Sequence, residues 1–150
     1  MKRHPDATRT AILDAAERVF LGRGFGGASL SGIAGAASVT KSLIHHHFGS
    51  KQGLWEAVKE RRFVPYAERQ IEMMRAPASA ELVRTSFDAF FHYLRDNPEL
   101  VRILAWIFLE GEDEDANAPL DKRLMTEAAV KFREGQEAGV LRKDLDPRFV

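Results

Sequence analysis

The sequence predicts an all-α protein. Three observations carry this: apolar residues recur at three- and four-residue spacing, no stretch alternates with period two, and glycines, prolines and hydroxyl residues cut the chain into helix-length pieces. With 150 residues, 45% of them hydrophobic, the chain can bury the core of one or two small compact units. A first helix is expected over about Asp6 to Leu21, with Ile12, Leu13, Ala16, Val19 and Phe20 on one face and Gly22 and Gly24 as its stop. After a loop from Phe25 to Ala28, Ser29 caps a short helix carrying Leu30, Ile33, Ala34 and Ala37. Thr40 caps a second short helix, Lys41 to about Phe48, which Gly49 ends. Ser50 then caps a longer helix through Leu54, Trp55, Val58 and Phe63 towards Met73 or Met74, in which Pro65 predicts a kink or break near Val64.

Beyond Pro77 the punctuation is sharper. Ser79 caps a helix to about Asp96 whose broad apolar face holds Leu82, Val83, Phe87, Phe90, Phe91 and Leu94. Asn97 and Pro98 open another, through Leu100, Val101, Leu104, Ile107 and Phe108 to Gly111. The acidic run Glu112 to Asp115 reads most simply as a solvated loop, with contact to a metal or a basic partner as the alternative. A last long helix spans about Pro119 to Ala138 and is closed by Gly139, and Asp146 with Pro147 again has the form of a cap and helix start.

Composition removes several function classes. There is no cysteine, which excludes disulfides, thiolate metal sites and cysteine nucleophiles. The N-terminus lacks a secretory apolar region and no apolar run reaches membrane-spanning length, so a non-exported, cytoplasmic protein is expected. The formal net charge of +0 conceals an asymmetry: residues 1–62 hold 10 Lys and Arg against 5 Asp and Glu, a net of +5, and residues 63–150 hold 12 against 17, a net of −5. A basic head on an acidic body is the pattern of a polyanion-binding unit joined to a non-binding one. No phosphate-cradling glycine loop, HExxH pair or nominated serine triad is present, so neither an enzyme nor a cofactor is expected; a helical protein-interaction module stays open as the alternative. His45, His46 and His47 are consecutive, and helical neighbours point about 100° apart where metal pairs need i, i+3 or i+4 spacing, so no metal site is expected. His92 reads as structural, with ligand contact as its alternative.

The segment from Ser29 to Lys51 carries the functional signal. Small residues at Ala34, Ala37 and Ser38 let two short helices cross closely, while Ile33, Val39, Ile44 and Phe48 can bury against the first helix. Lys41, Ser42 and His45 then fall at i, i+1 and i+4 on an outward polar face able to enter a major groove. Ser29, Ser31, Thr40 and Lys51 sit at or near helix N-termini, where exposed N–H groups favour phosphate.

From Phe25 the chain reads F-x-x-A-S-L-x-x-I-A-x-x-A-x-V-T-K-x-x-I-H-H-H-F-x-S-K-x-x-L, and the preceding A-I-L-D-A-A-E-R-V-F-L-G-R-G-F begins at Ala11. Together these resemble the N-terminal signature of the TetR family of transcriptional regulators. The resemblance implies an N-terminal three-helix helix-turn-helix DNA-binding domain over residues 1–54, followed by a helical ligand-binding and dimerisation body over residues 55–150. It implies double-stranded operator DNA as partner, with base contacts from Lys41, Ser42 and His45 and phosphate contacts from Ser29, Ser31, Thr40, His47 and Lys51. Three positions depart from the family pattern: Ser38 stands where glycine is usual in the turn, His45 and His46 where two tyrosines are common, and Gly53 where an acidic residue would complete a capping box with Ser50.

In the body, Met73, Met74, Phe87, Phe90, Phe91, Tyr93, Trp106, Phe108 and Phe132 are expected mostly as core. The resemblance implies an effector pocket among them, for which Met73, Phe87, Phe91 and Trp106 are the candidates, and repression relieved by a small molecule. Asn97 to Gly111 also resembles a body helix of such regulators. The family's homodimer usually forms through two further C-terminal helices; only their opening, Asp146 to Val150, is expected here, which makes the dimer less secure than in the family.

Overall fold

A computed structural model describes residues 5–110 and 119–146. Within them are seven helices and no strand: α1 (Pro5–Gly27), α2 (Leu30–Ala37), α3 (Lys41–Phe48), α4 (Lys51–Met73), α5 (Ala80–Asp96), α6 (Pro98–Glu110) and α7 (Pro119–Glu137). The caps expected at Ser29, Thr40, Ser50 and Ser79 all form, each hydroxyl accepting from the backbone N–H three residues on. The acidic run Glu112 to Asp115 and the helix start from Pro147 lie outside the described residues.

The chain divides into two compact units, residues 5–62 with 99–110, and residues 63–98 with 119–146. In the first, Ile12, Phe20, Ile33, Ile44, Leu54, Trp55 and Val58 are fully buried, and Ile103 of α6 joins them. The Phe20 and Trp55 rings lie 4.9 Å apart in a tilted contact, with Phe25 at 6.2 and 6.4 Å from them. Each such side chain contributes roughly 1.5–3 kcal/mol by leaving water, so this core holds the short α2 and α3, which alone are below the length at which helices persist. Buried Glu17 of α1 accepts from the Arg62 guanidinium of α4, and Asp14 pairs with Arg61 at 2.7 Å, which fixes α1 against α4.

Of the two glycines expected to stop the first helix, Gly24 breaks its helical geometry, whereas Gly22 does not. The helix continues to a kink at Gly24 (φ 69°, ψ −179°) and a further turn to Gly27. The cause lies 85 residues away on α6. The Trp106 indole N–H donates to the Leu21 carbonyl at 3.2 Å, and the Glu110 carboxylate accepts from the N–H groups of Phe25 and Gly26 at 3.0 and 2.9 Å. A side chain at residue 24 would lie 2.7 Å from the Trp106 ring and 2.6 Å from the Glu110 carboxylate. Pro65 likewise does not break α4, which runs unbroken from Lys51 to Met73. Pro65 and Arg61 are both exposed, so the carbonyl that loses its donor to the proline ring lies on the water side.

The second unit has a small core, Ala67, Ile71 and Leu124, with Phe63, Tyr66 and Met74 packed against it. Tyr66 meets Phe63, Phe90 and Tyr93 at 5.6, 5.5 and 5.3 Å between ring centres. The expectation that the body's large apolar groups are core is corrected here. No residue of α5 is fully buried, and Phe87 and Phe91 are 63% and 70% exposed. A cavity of about 280 Å³, almost wholly apolar, opens between α5 and α7 and is lined by Met74, Leu82, Val83, Phe87, Phe132 and Leu141 among others.

Gly24→Ala is expected to destabilise the protein by about 3 kcal/mol, because the alanine meets both a glycine-only backbone region and the Trp106 ring; a urea melt with an unshifted midpoint would refute the kink's role. Burial also pushes the Tyr66 phenol up to about 12. The fold thus favours the neutral phenol, and the stability this confers is full below pH 10 and lost as the pH climbs towards 12. A phenolate absorbance titration should show a component near 12 that Tyr66→Phe removes.

Candidate DNA-binding interface

Two short helices and the turn between them build the site. Ser29, in extended backbone, accepts from the Gly32 N–H at 3.1 Å and starts α2. At its other end Val39 N–H donates to Ala34 O at 3.0 Å and Ser38 N–H to Gly35 O at 3.1 Å, the paired closure of a Schellman motif. That closure puts Ser38 in left-handed backbone (φ 53°, ψ 47°), the one non-glycine residue with positive φ among those described. The chain leaves it with Val39 packed against the core, and Thr40 then accepts from Leu43 N–H at 3.3 Å to start α3. α7 closes with the same hydrogen-bond pair, but there the left-handed residue is Gly139.

On α3, Ile44 is fully buried, and Leu43 and Phe48 are half-buried. Lys41, Ser42, His45 and His46 are exposed, so the polar face expected from i, i+1 and i+4 spacing is open to solvent. The His45 Nδ1–H donates to the Gly49 carbonyl at 2.8 Å. A carbonyl can only accept, so the ring's Nε2 is left for a partner: an acceptor for adenine or cytosine amino groups when neutral, a donor for guanine when protonated.

The remaining sequence-derived residues fall around this face. Ser29, Ser31 and Thr40 are exposed at the starts of α2 and α3, and His47 is half-buried with its ring 5.3 Å from His46. The two cap hydroxyls use their lone pairs on their own helices, which leaves each O–H free to donate. Lys51 opens α4, half-buried, its ammonium 4.3 Å over the Phe25 ring. Gly53 has a local reason: a Cβ there would collide with the Phe48 carbonyl, so the acidic residue of the family pattern has no room, and Ser50 caps α4 through Gly53 N–H at 3.0 Å instead.

Of the effector-pocket candidates, Phe87 lines the cavity in the second unit. Met73, half-buried, and Phe91, exposed, belong to that unit without lining the cavity, and Trp106 is engaged with Leu21 in the first. Sequence reasoning had no signal for the Glu110 grip on Phe25 and Gly26, since nothing local to either segment marks it. Among the described residues no cluster of three or more His, Asp or Glu is arranged to hold a metal, and no helix is long and apolar enough to cross a membrane.

A short buried-faced helix, a left-handed turn and a second helix with its polar side outward define a helix-turn-helix DNA-binding protein. Residues 12–58 match the model described as bacterial regulatory proteins, tetR family, and residues 81–150 match the tetracyclin repressor-like C-terminal domain. The chain is 30% identical over 146 residues to the HTH-type transcriptional repressor NicS of Pseudomonas putida, covering 93% of this chain and 68% of that protein. It is 29% identical over 140 residues to the HTH-type transcriptional repressor SCO4008 of Streptomyces coelicolor, covering 93% and 70%. The fold is also similar to the transcriptional regulator FadR of Bacillus subtilis, solved in complex with stearoyl-CoA, with a TM-score of 0.67, 23% identity, and coverage of 93% and 77%. The chain belongs to the TetR family of transcriptional regulators and is not an enzyme.

Ser38→Gly is expected to stabilise the protein by roughly 0.5–1 kcal/mol, since relief of left-handed strain exceeds the added freedom of the unfolded chain. A melting temperature that falls on this substitution would contradict the strain assigned to the turn.

Proposed function

We propose that this chain is a repressor that binds a near-palindromic operator as a homodimer in the cytoplasm and leaves it when a small molecule occupies the body. The observation that carries the reading is the solvent-facing polar side of α3, held by the Thr40 cap on one end and the buried Ile44 beneath. Residues 1–54 form the DNA-reading head, and residues 55–150 the effector-binding body. Lys41, Ser42 and His45 contact base edges, and Ser29, Ser31, Thr40, His47 and Lys51 contact phosphate. The resemblance to repressors over 93% of the chain supports repression as the polarity.

The effector site in this reading is the cavity between α5 and α7, with Phe87 in its wall. Its lining offers mostly carbon, so it favours an apolar ligand or the apolar part of one, in keeping with the stearoyl-CoA held by the structurally similar FadR. A ligand that fits one conformation of the body better than another draws the protein off DNA by that difference in affinity.

Selection of bound fragments from random DNA tests the head directly. Lys41→Ala should relax the base preference at its position by about 1–3 kcal/mol, while Lys51→Ala should weaken binding to every duplex alike. Identical losses from both variants on all sequences would overturn these roles.

A further inference from the structure

The cations of residues 5–62 fall into two groups. Among the described residues, Arg61 pairs with Asp14, Arg62 with Glu17 and Lys59 with Glu56, whereas Arg9, Arg18, Arg23, Lys41 and Lys51 form no ion pair. Lys51 instead rests on the Phe25 ring, and Arg9, exposed near the start of α1, places its guanidinium 5.0 Å over the Phe48 ring. Asp6 lies three residues before Arg9, at the spacing of a helical ion pair, yet the arginine engages the aromatic ring. Phe48 is the last residue of α3, so this contact carries a cation from α1 to the end of the helix that presents Lys41, Ser42 and His45.

We propose that Arg9 is a phosphate-binding residue of the DNA interface, seated on Phe48 so that its guanidinium meets the duplex backbone beside the end of α3. The proposal rests on the DNA-binding reading above. A ring offers no lone-pair acceptor, so the seat orders the arginine while leaving its N–H donors for an oxyanion, and no carboxylate must first be displaced. A planar fork of donors matches a phosphate diester in two hydrogen bonds. Sequence inspection misses this residue because its seat lies 39 positions further on, in another helix.

The test is a titration of the full chain with a mixed-sequence DNA duplex across a salt series, read by fluorescence anisotropy. Arg9→Gln, which keeps most of the side chain, should lower affinity at low salt and make the slope of log K against log salt shallower by about 0.9, the contribution of one phosphate contact. Arg9→Lys should restore the slope, and in a Phe48→Leu background the effect of Arg9→Gln should shrink. An Arg9→Gln protein with the wild-type slope would overturn the proposal. A wild-type protein whose affinity ignores salt would instead remove the DNA-binding reading on which it rests.

Discussion

The left-handed backbone at Ser38 is the constraint on which the presentation of α3 depends. A helix ending in ordinary right-handed backbone would send the chain on along its own axis, whereas the closure through Ala34 and Gly35 reverses it within two residues and sets Val39 against the core. Thr40 then restarts the helix with Ile44 inward, and the three-residue polar face turns outward as a result of one buried position. Serine has a Cβ, and the left-handed region costs such a residue about 1–2 kcal/mol. The fully buried Phe20, Ile33, Ile44 and Trp55 supply more than this, which is why the strained turn persists.

Much of this was legible in the sequence because it is decided within four residues. Ser29, Thr40, Ser50 and Ser79 announce helix starts because each hydroxyl reaches an N–H three positions on, and Asn97 with Pro98 and Gly139 mark boundaries for equally local reasons. The polar face of α3 was legible for the same reason, since i, i+1 and i+4 positions share a side of any helix. What escaped was set by distant partners. The continuation of α1 past Gly22 follows from Trp106 and Glu110, and the unbroken passage of α4 through Pro65 follows from which side of that helix faces water. Periodicity marks Phe87 and Phe91 as apolar but does not say what covers them, so their exposure and the position of the cavity came only with coordinates.

Trp106 shows how residue type can mislead. A tryptophan in an amphipathic helix suggests the wall of an apolar pocket, but here its polar edge is in use, the indole N–H satisfying a carbonyl where α1 loses its regular ladder. With Glu110 one turn later, it gives a kinked helix end the partners that the helix itself cannot provide.

The caps at the starts of α2, α3 and α4 are all neutral alcohols. Aspartate would hold any of these ends about as well, but it would set a fixed negative charge against the partial positive charge that aligned peptide dipoles leave there. Serine and threonine keep that polarity intact and add no repulsion towards an approaching polyanion. The groups that fasten the three helices in the free protein thereby set no fixed negative charge at these helix starts.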